Sequence, residues 1–262
     1  MIELSPQKKE KLRSELPIEQ QANCKENSSI VMFSRMQNPI IKKQIIDFFC
    51  ESQDEYHKVH SGFIPMSRKA VEDAFDEKLK QSQSVTPISY EDSAPYEIDQ
   101  EEVLPLGWTI GKNKEKPTIK QWEVAEAHEK GHSLRPLWGT KNFRKQFNNA
   151  FDMKAVIAPS VKNENDSDYS SEDALIRDLD LQAYDKFLEY LFDPDEIIER
   201  MSQLKNYFGM KGSELFTKEH LSYARNHYIK DTESDNNMTE FFQAITPEKE
   251  DAFIELINSA GI

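Results

Sequence analysis

Residues 124–134 read VAEAHEKGHSL, and His128, Glu129 and His132 within them spell H-E-x-x-H. In an α-helix, residues four apart stand on one face at roughly 5–6 Å between Cβ atoms. His128 and His132 can therefore turn two imidazoles toward one ion. Glu129 is displaced to the side, where its carboxylate reaches a water on that ion rather than the ion itself. Zinc held by two histidines and one further protein ligand keeps an open position for that water. The ion lowers the pKa of the water, and Glu129 can take its proton as it attacks a peptide carbonyl. Two histidines at this spacing around a glutamate form a metalloprotease signature. The expected cofactor is Zn2+ and the expected partner a protein or peptide substrate.

The neighbouring residues bear on whether the signature is used. Pro117 and Thr118 open the helix and Pro136 limits it. Ala127 and Gly131 are small, and Gly131 lets another element or a substrate come close. Glu126 and Lys130 put charge beside the motif, which predicts a solvent-facing side. A helix turned to solvent would belong instead to a helical interaction or scaffold protein, with HEKGH accidental or its metal structural.

The stretch AHEKGH (127–132) resembles the active-site helix of zincin-type metallopeptidases, and a carboxylate ligand from a later helix would make it gluzincin-like. The resemblance covers one helix and, more loosely, a second. It implies a zincin-like helical core and a third metal ligand from a downstream helix. Glu196, in YLFDPDEIIERMSQL (190–204), is the best candidate, with Glu199 one turn on as runner-up. Asp193, Pro194, Asp195 and Glu196 also read as an N-cap and the first three helical positions, which gives Glu196 a second possible task in a capping box. Arg200 can pair with a ligand carboxylate. Zinc peptidases often steady the oxyanion with a Tyr or His outside the motif. His227 is assigned to that task, with Tyr223 and Tyr228 beside it in FTKEHLSYARNHYI (216–229).

Outward from the motif the chain is strongly helical in pattern. Asn38 and Pro39 start a helix on which Ile41, Ile45, Phe48 and Phe49 recur at helical spacing. Ser67 starts a second, with Val71, Ala74, Phe75 and Leu79 as its stripe. DALIRDLDLQAYDKFLEYLF (173–192) reads as amphipathic. Met201, Leu204, Tyr207 and Phe208 form an apolar stripe that reads as core. Short strands are expected only in YEI and VLPLGWTIG, within a Ser-, Pro- and acid-rich passage. The fold class expected is mainly α (α+β) with at most a small sheet. A loose boundary near residue 100 separates a polar, partly helical region, 1–100, from a metallopeptidase domain, 101–262. The first region would serve as a lid or partner arm.

The 262 residues carry 33 basic and 47 acidic side chains, a formal charge of -14. That balance argues against a nucleic-acid backbone as the main ligand. Two cysteines, Cys24 and Cys50, cannot make a four-cysteine zinc site, and Cys50 beside Phe48 and Phe49 reads as a small buried hydrophobe. The N-terminus lacks the apolar run of a signal peptide and no window is apolar enough to span a membrane. A cytoplasmic location is expected. His57 and His60 are spaced for a metal but have no obvious third ligand. No phosphate-binding glycine pattern occurs.

Overall fold

Asn38 and Pro39 do what their positions predict. In a computed structural model of the chain, Asn38 Oδ1 accepts the Ile40 backbone N–H at 3.0 Å and Pro39 fills the first helical position. The structure describes residues 6–22, 25–84, 119–135, 140–157, 184–233, 237–259 and 261–262. Its helices are α1 (Pro6–Ser14), α2 (Ile18–Gln21), α3 (Ser28–Met36), α4 (Pro39–Val59), α5 (Arg68–Ser84), α6 (Ile119–Leu134) and α7 (Lys141–Ala150). They continue with α8 (184–191), α9 (Pro194–Tyr207), α10 (Lys218–Thr232), α11 (Asn237–Ala244) and α12 (Glu250–Ile257). The fold is mainly α, and no strand occurs among the described residues. The expected strands, the boundary near residue 100 and Pro117, Thr118 and Pro136 lie outside the described residues.

The motif helix α6 packs against α9, and α3 packs on both. Met32 and Met36 of α3, Ile45 of α4 and Phe75 and Leu79 of α5 close over Leu134 at the end of α6 in one apolar cluster. A larger cluster holds Met201, Leu204, Tyr207 and Phe208 of the α9 stripe, all buried as their spacing predicts. In it the rings of Phe151, Phe241 and Phe253 meet at 5.5–5.8 Å between centroids. Cys50, expected to be buried, is only half-buried beside the α3–α5 cluster.

Helix α9 stops where a glycine lets it stop. Gly209 takes φ +64, a left-handed conformation that costs a residue without a Cβ little. The Met210 N–H reaches Lys205 O at 3.0 Å and the Gly209 N–H reaches Asn206 O at 2.9 Å, the paired bonds that close a helix C-terminus.

The turn leaves Met210 O facing Arg35 of α3, whose side chain is fully buried. Arg35 donates to Met210 O at 2.7 Å, and to Ser202 Oγ and Asn206 Oδ1 at 2.9 Å each. Burial, followed by the charge of Arg135, brings its pKa down to about 9. This part of the region before residue 100 is thus fastened to the helix carrying Glu196. Arg35→Met would take this donor from the buried Met210 O and Asn206 Oδ1, at about 1–3 kcal/mol for the more costly of the two. We expect Arg35→Met to lower stability by at least about 2 kcal/mol in urea unfolding; an unchanged midpoint would show that α3 is not held in this way.

Candidate metal centre

The charges beside the motif correct one expectation. Glu126 and Lys130 do not face solvent: they are 2% and 3% exposed. One turn apart, they form an ion pair with each other, and the Lys130 amine also lies 5.7 Å above the Phe33 ring of α3. Buried charges persist only when paired, so α6 can carry a polar sequence into the interior.

Gly131 sets how closely α6 and α9 approach. A Cβ at this position would fall 1.7 Å from Glu199 Oε2 and 2.3 Å from its Cδ. The Glu199 carboxylate occupies the notch that the glycine leaves and binds Arg135 Nη1 at 2.5 Å. Arg135 also reaches Ser202 Oγ at 3.2 Å, so Ser202 is shared with Arg35. Glu199, the runner-up third ligand, is therefore committed to a buried ion pair.

That approach brings the first turn of α9 against the two histidines. Asp193 caps α9 alone, accepting the Asp195 N–H at 2.9 Å. Glu196 is turned to the imidazoles rather than back to the helix end. Its Oε2 lies 3.2 Å from His128 Nε2 and its Oε1 3.2 Å from His132 Nε2. The two Nε2 atoms are 3.0 Å apart. His128, His132 and Glu196 each offer a ligand atom, all within 4.8 Å of one another. His128 and Glu196 are buried and His132 is half-buried.

Further groups attend the cluster. Arg200, one turn along α9, places Nη2 3.5 Å from Glu196 Oε2. The Tyr190 side chain, at the end of α8, is 54% exposed; partial burial first, then the charge of Glu196 beside it, push its phenol up to about 12. Glu129 is half-buried, and burial raises its pKa against the opposing pull of His128 and His132. His128 Nδ1 is buried without a hydrogen-bond partner.

The contacts of His227, assigned from the sequence to the oxyanion, are with its own helix. It is exposed, stacks on Tyr223 at 4.1 Å between ring centroids and makes its ring hydrogen bond with Tyr223 O. The inward face of α10 is taken by Leu221, Ala224 and Tyr228. His220 is buried but serves as a capping-box partner of Thr217. His57 and His60 are exposed. Sequence reasoning missed Tyr190 and Arg135. Tyr190 lies six positions before Glu196, across the Asp193-Pro194 break between α8 and α9.

The electrostatics give a signed pH dependence. At Glu196 burial works to raise the pKa, but hydrogen bonds from His128 and His132 outweigh it and hold the carboxyl well below the usual range. At His132 burial works downward, but the Glu196 hydrogen bond and nearby carboxylates prevail, and its pKa is raised. Asp195 is pushed up to about 7, first by burial and then by Asp193. A lowered carboxylate stabilises the fold above its unfolded pKa near ~4.3, and a raised histidine does so below ~6.5. The contribution of His132 is lost as pH rises through its folded value, and a raised Asp195 also weakens the fold as pH rises. With chelator present, the melting temperature is expected to fall between about pH 6 and 8. Zinc requires a deprotonated His132, so zinc affinity should climb over the same interval. A chelated protein whose melting temperature stayed level or rose there would contradict these assignments.

Comparisons with known protein families, curated proteins and solved structures give no match to this chain.

Proposed function

We propose that this protein is a zinc-dependent metallopeptidase, with His128, His132 and Glu196 as metal ligands and Glu129 as general base. The observation carrying the proposal is the convergence of two Nε2 atoms and a carboxylate from two different helices, at 3.0–3.2 Å from one another. Ligand atoms placed tetrahedrally on zinc, at bonds of about 2.0–2.1 Å, lie roughly 3.3 Å apart. The donor set, two imidazoles and one carboxylate, is that of an open zinc site.

A bound zinc would supply the Lewis acidity that acidifies a water and polarises a peptide carbonyl. The chain's own groups do the rest. Glu129 accepts the proton of the attacking water and later returns it to the leaving amine. Its raised pKa brings it nearer the range in which proton transfer at neutral pH is efficient. Arg200 holds the Glu196 carboxylate in orientation, the task of a group behind a metal ligand.

In the competing account, a scaffold protein, the three groups simply pair with one another. Hydrolysis of a fluorogenic peptide library by zinc-loaded protein separates the two. Cleavage abolished by 1,10-phenanthroline and restored by zinc is expected. No cleavage of any peptide by protein carrying one zinc per chain would leave a structural metal and overturn the enzymatic assignment.

A further inference from the structure

A cavity of about 330 Å³ lies between α4, α5 and the end of α6, walled by Phe49, Phe63, Val71, Phe75 and Leu134. Its volume falls within the roughly 300–1,000 Å³ of small-molecule sites. We propose that it binds an aliphatic monocarboxylate of about ten heavy atoms, at roughly 30 Å³ per atom as for liquid water, with the tail between α4 and α5 and the carboxylate on the Lys78 amine.

The walls dictate the tail. They are almost wholly apolar, so a polar ligand would lose its hydration without replacement. The end of α4 and the loop to α5 continue the apolar surface outward: Phe63 and Met66 line the cavity, and Val59, the last residue of α4, and Ile64 in the loop stand 77% and 85% exposed.

Lys78 dictates the head. It is half-buried in the lining and forms no ion pair with any carboxylate among the described residues. Elsewhere on α4 and α5, Lys42 pairs with Asp76, Lys69 with Asp73 and Arg68 with both Asp47 and Glu72; Lys58 and Lys80 also form no ion pair among the described residues, but both are exposed, whereas Lys78 is half-buried in the cavity wall. Burial alone, with no acidic neighbour to offset it, lowers the Lys78 pKa; an anion beside the amine would reverse that. A second polar group faces the same space. Ser52 is 3% exposed, and its hydroxyl has no hydrogen-bond partner. It can donate to a bound carboxylate. The Gln53 side chain, also in the wall, already accepts the Met66 N–H at its Oε1 at 2.9 Å.

The site is independent of the metal centre, and octanoate titrated calorimetrically into the full chain tests it. One saturable site is expected, with octanol and octylamine at least tenfold weaker. Lys78→Met should weaken octanoate at least tenfold and leave octanol unchanged. Ala74 is exposed at the cavity, so Ala74→Trp can block entry without entering the packed core. It should abolish binding of both, and circular dichroism and the melting temperature check that each variant is folded. Because a carboxylate can also bind a metal at His128 and His132, the titration is repeated on His128→Ala, where unchanged binding is expected. Octanol binding as tightly as octanoate, indifference to Lys78→Met or to Ala74→Trp, loss of binding in His128→Ala, or no saturable binding would each overturn the proposal.

Discussion

Glu129→Gln is expected to keep zinc and lose hydrolysis. The glutamine is nearly isosteric, and Glu129 is not one of the three converging ligands, so zinc affinity should stay within a few-fold of the parent. Its carboxylate is the group assigned to proton transfer, a contribution typically worth about 10²–10⁴-fold in rate. The fall should appear in kcat as well as kcat/KM, because the proton moves in the chemical step. Equal activity in the variant would remove Glu129 from the mechanism. Loss of metal together with activity would make it a ligand instead, and the site a closed one.

The second large effect is expected at a residue that touches no metal. In Gly131→Ala the new Cβ would fall 1.7 Å from Glu199 Oε2, so something must move. Glu199 is 1% exposed and bound to a buried Arg135, which leaves it no solvent to retreat into. Breaking such a pair costs about 3–5 kcal/mol, and the gain from alanine in a helix offsets about 1 kcal/mol. A loss of about 2–4 kcal/mol is therefore expected. Zinc affinity should fall as well, since the same contact sets the spacing between α6 and α9. The coupling is testable: in a Glu199→Ala, Arg135→Met background the notch is empty, and Gly131→Ala should be neutral or stabilising. A cost that persisted there would place the clash elsewhere.

The parts of the site legible in the sequence are those that helix geometry alone determines. His128 and His132 share a face because they are four apart, and that holds wherever the helix lies. Glu196 was legible only in part, because Asp-Pro-Asp-Glu serves equally as a capping box and as a ligand in a first turn. Which use prevails depends on α6 arriving opposite α9, and that is tertiary. The burial of Glu126 and Lys130 was misjudged for a similar reason. Each looks like a solvated charge until its partner one turn away and the Phe33 ring of α3 are both in place. His227 shows the limit of periodicity: a spacing of seven puts it on the face of His220, yet His220 is buried and His227 exposed. The apolar stripes of α4 and α9 fared better, since burial of a stripe requires only that some apolar surface meet it. Arg35 carried no signal at all; its acceptors lie on α9 and the turn after it, far along the chain.

The central claim is most directly tested by metal content. Protein purified without a histidine tag is offered zinc, freed of excess and analysed by mass spectrometry beside His128→Ala and Glu129→Gln. About one zinc per chain is expected in the parent and in Glu129→Gln, and none in His128→Ala, as two histidines and a third ligand require. No zinc retained by the folded parent would contradict it, and His128, His132 and Glu196 would then be a buried polar knot between two helices.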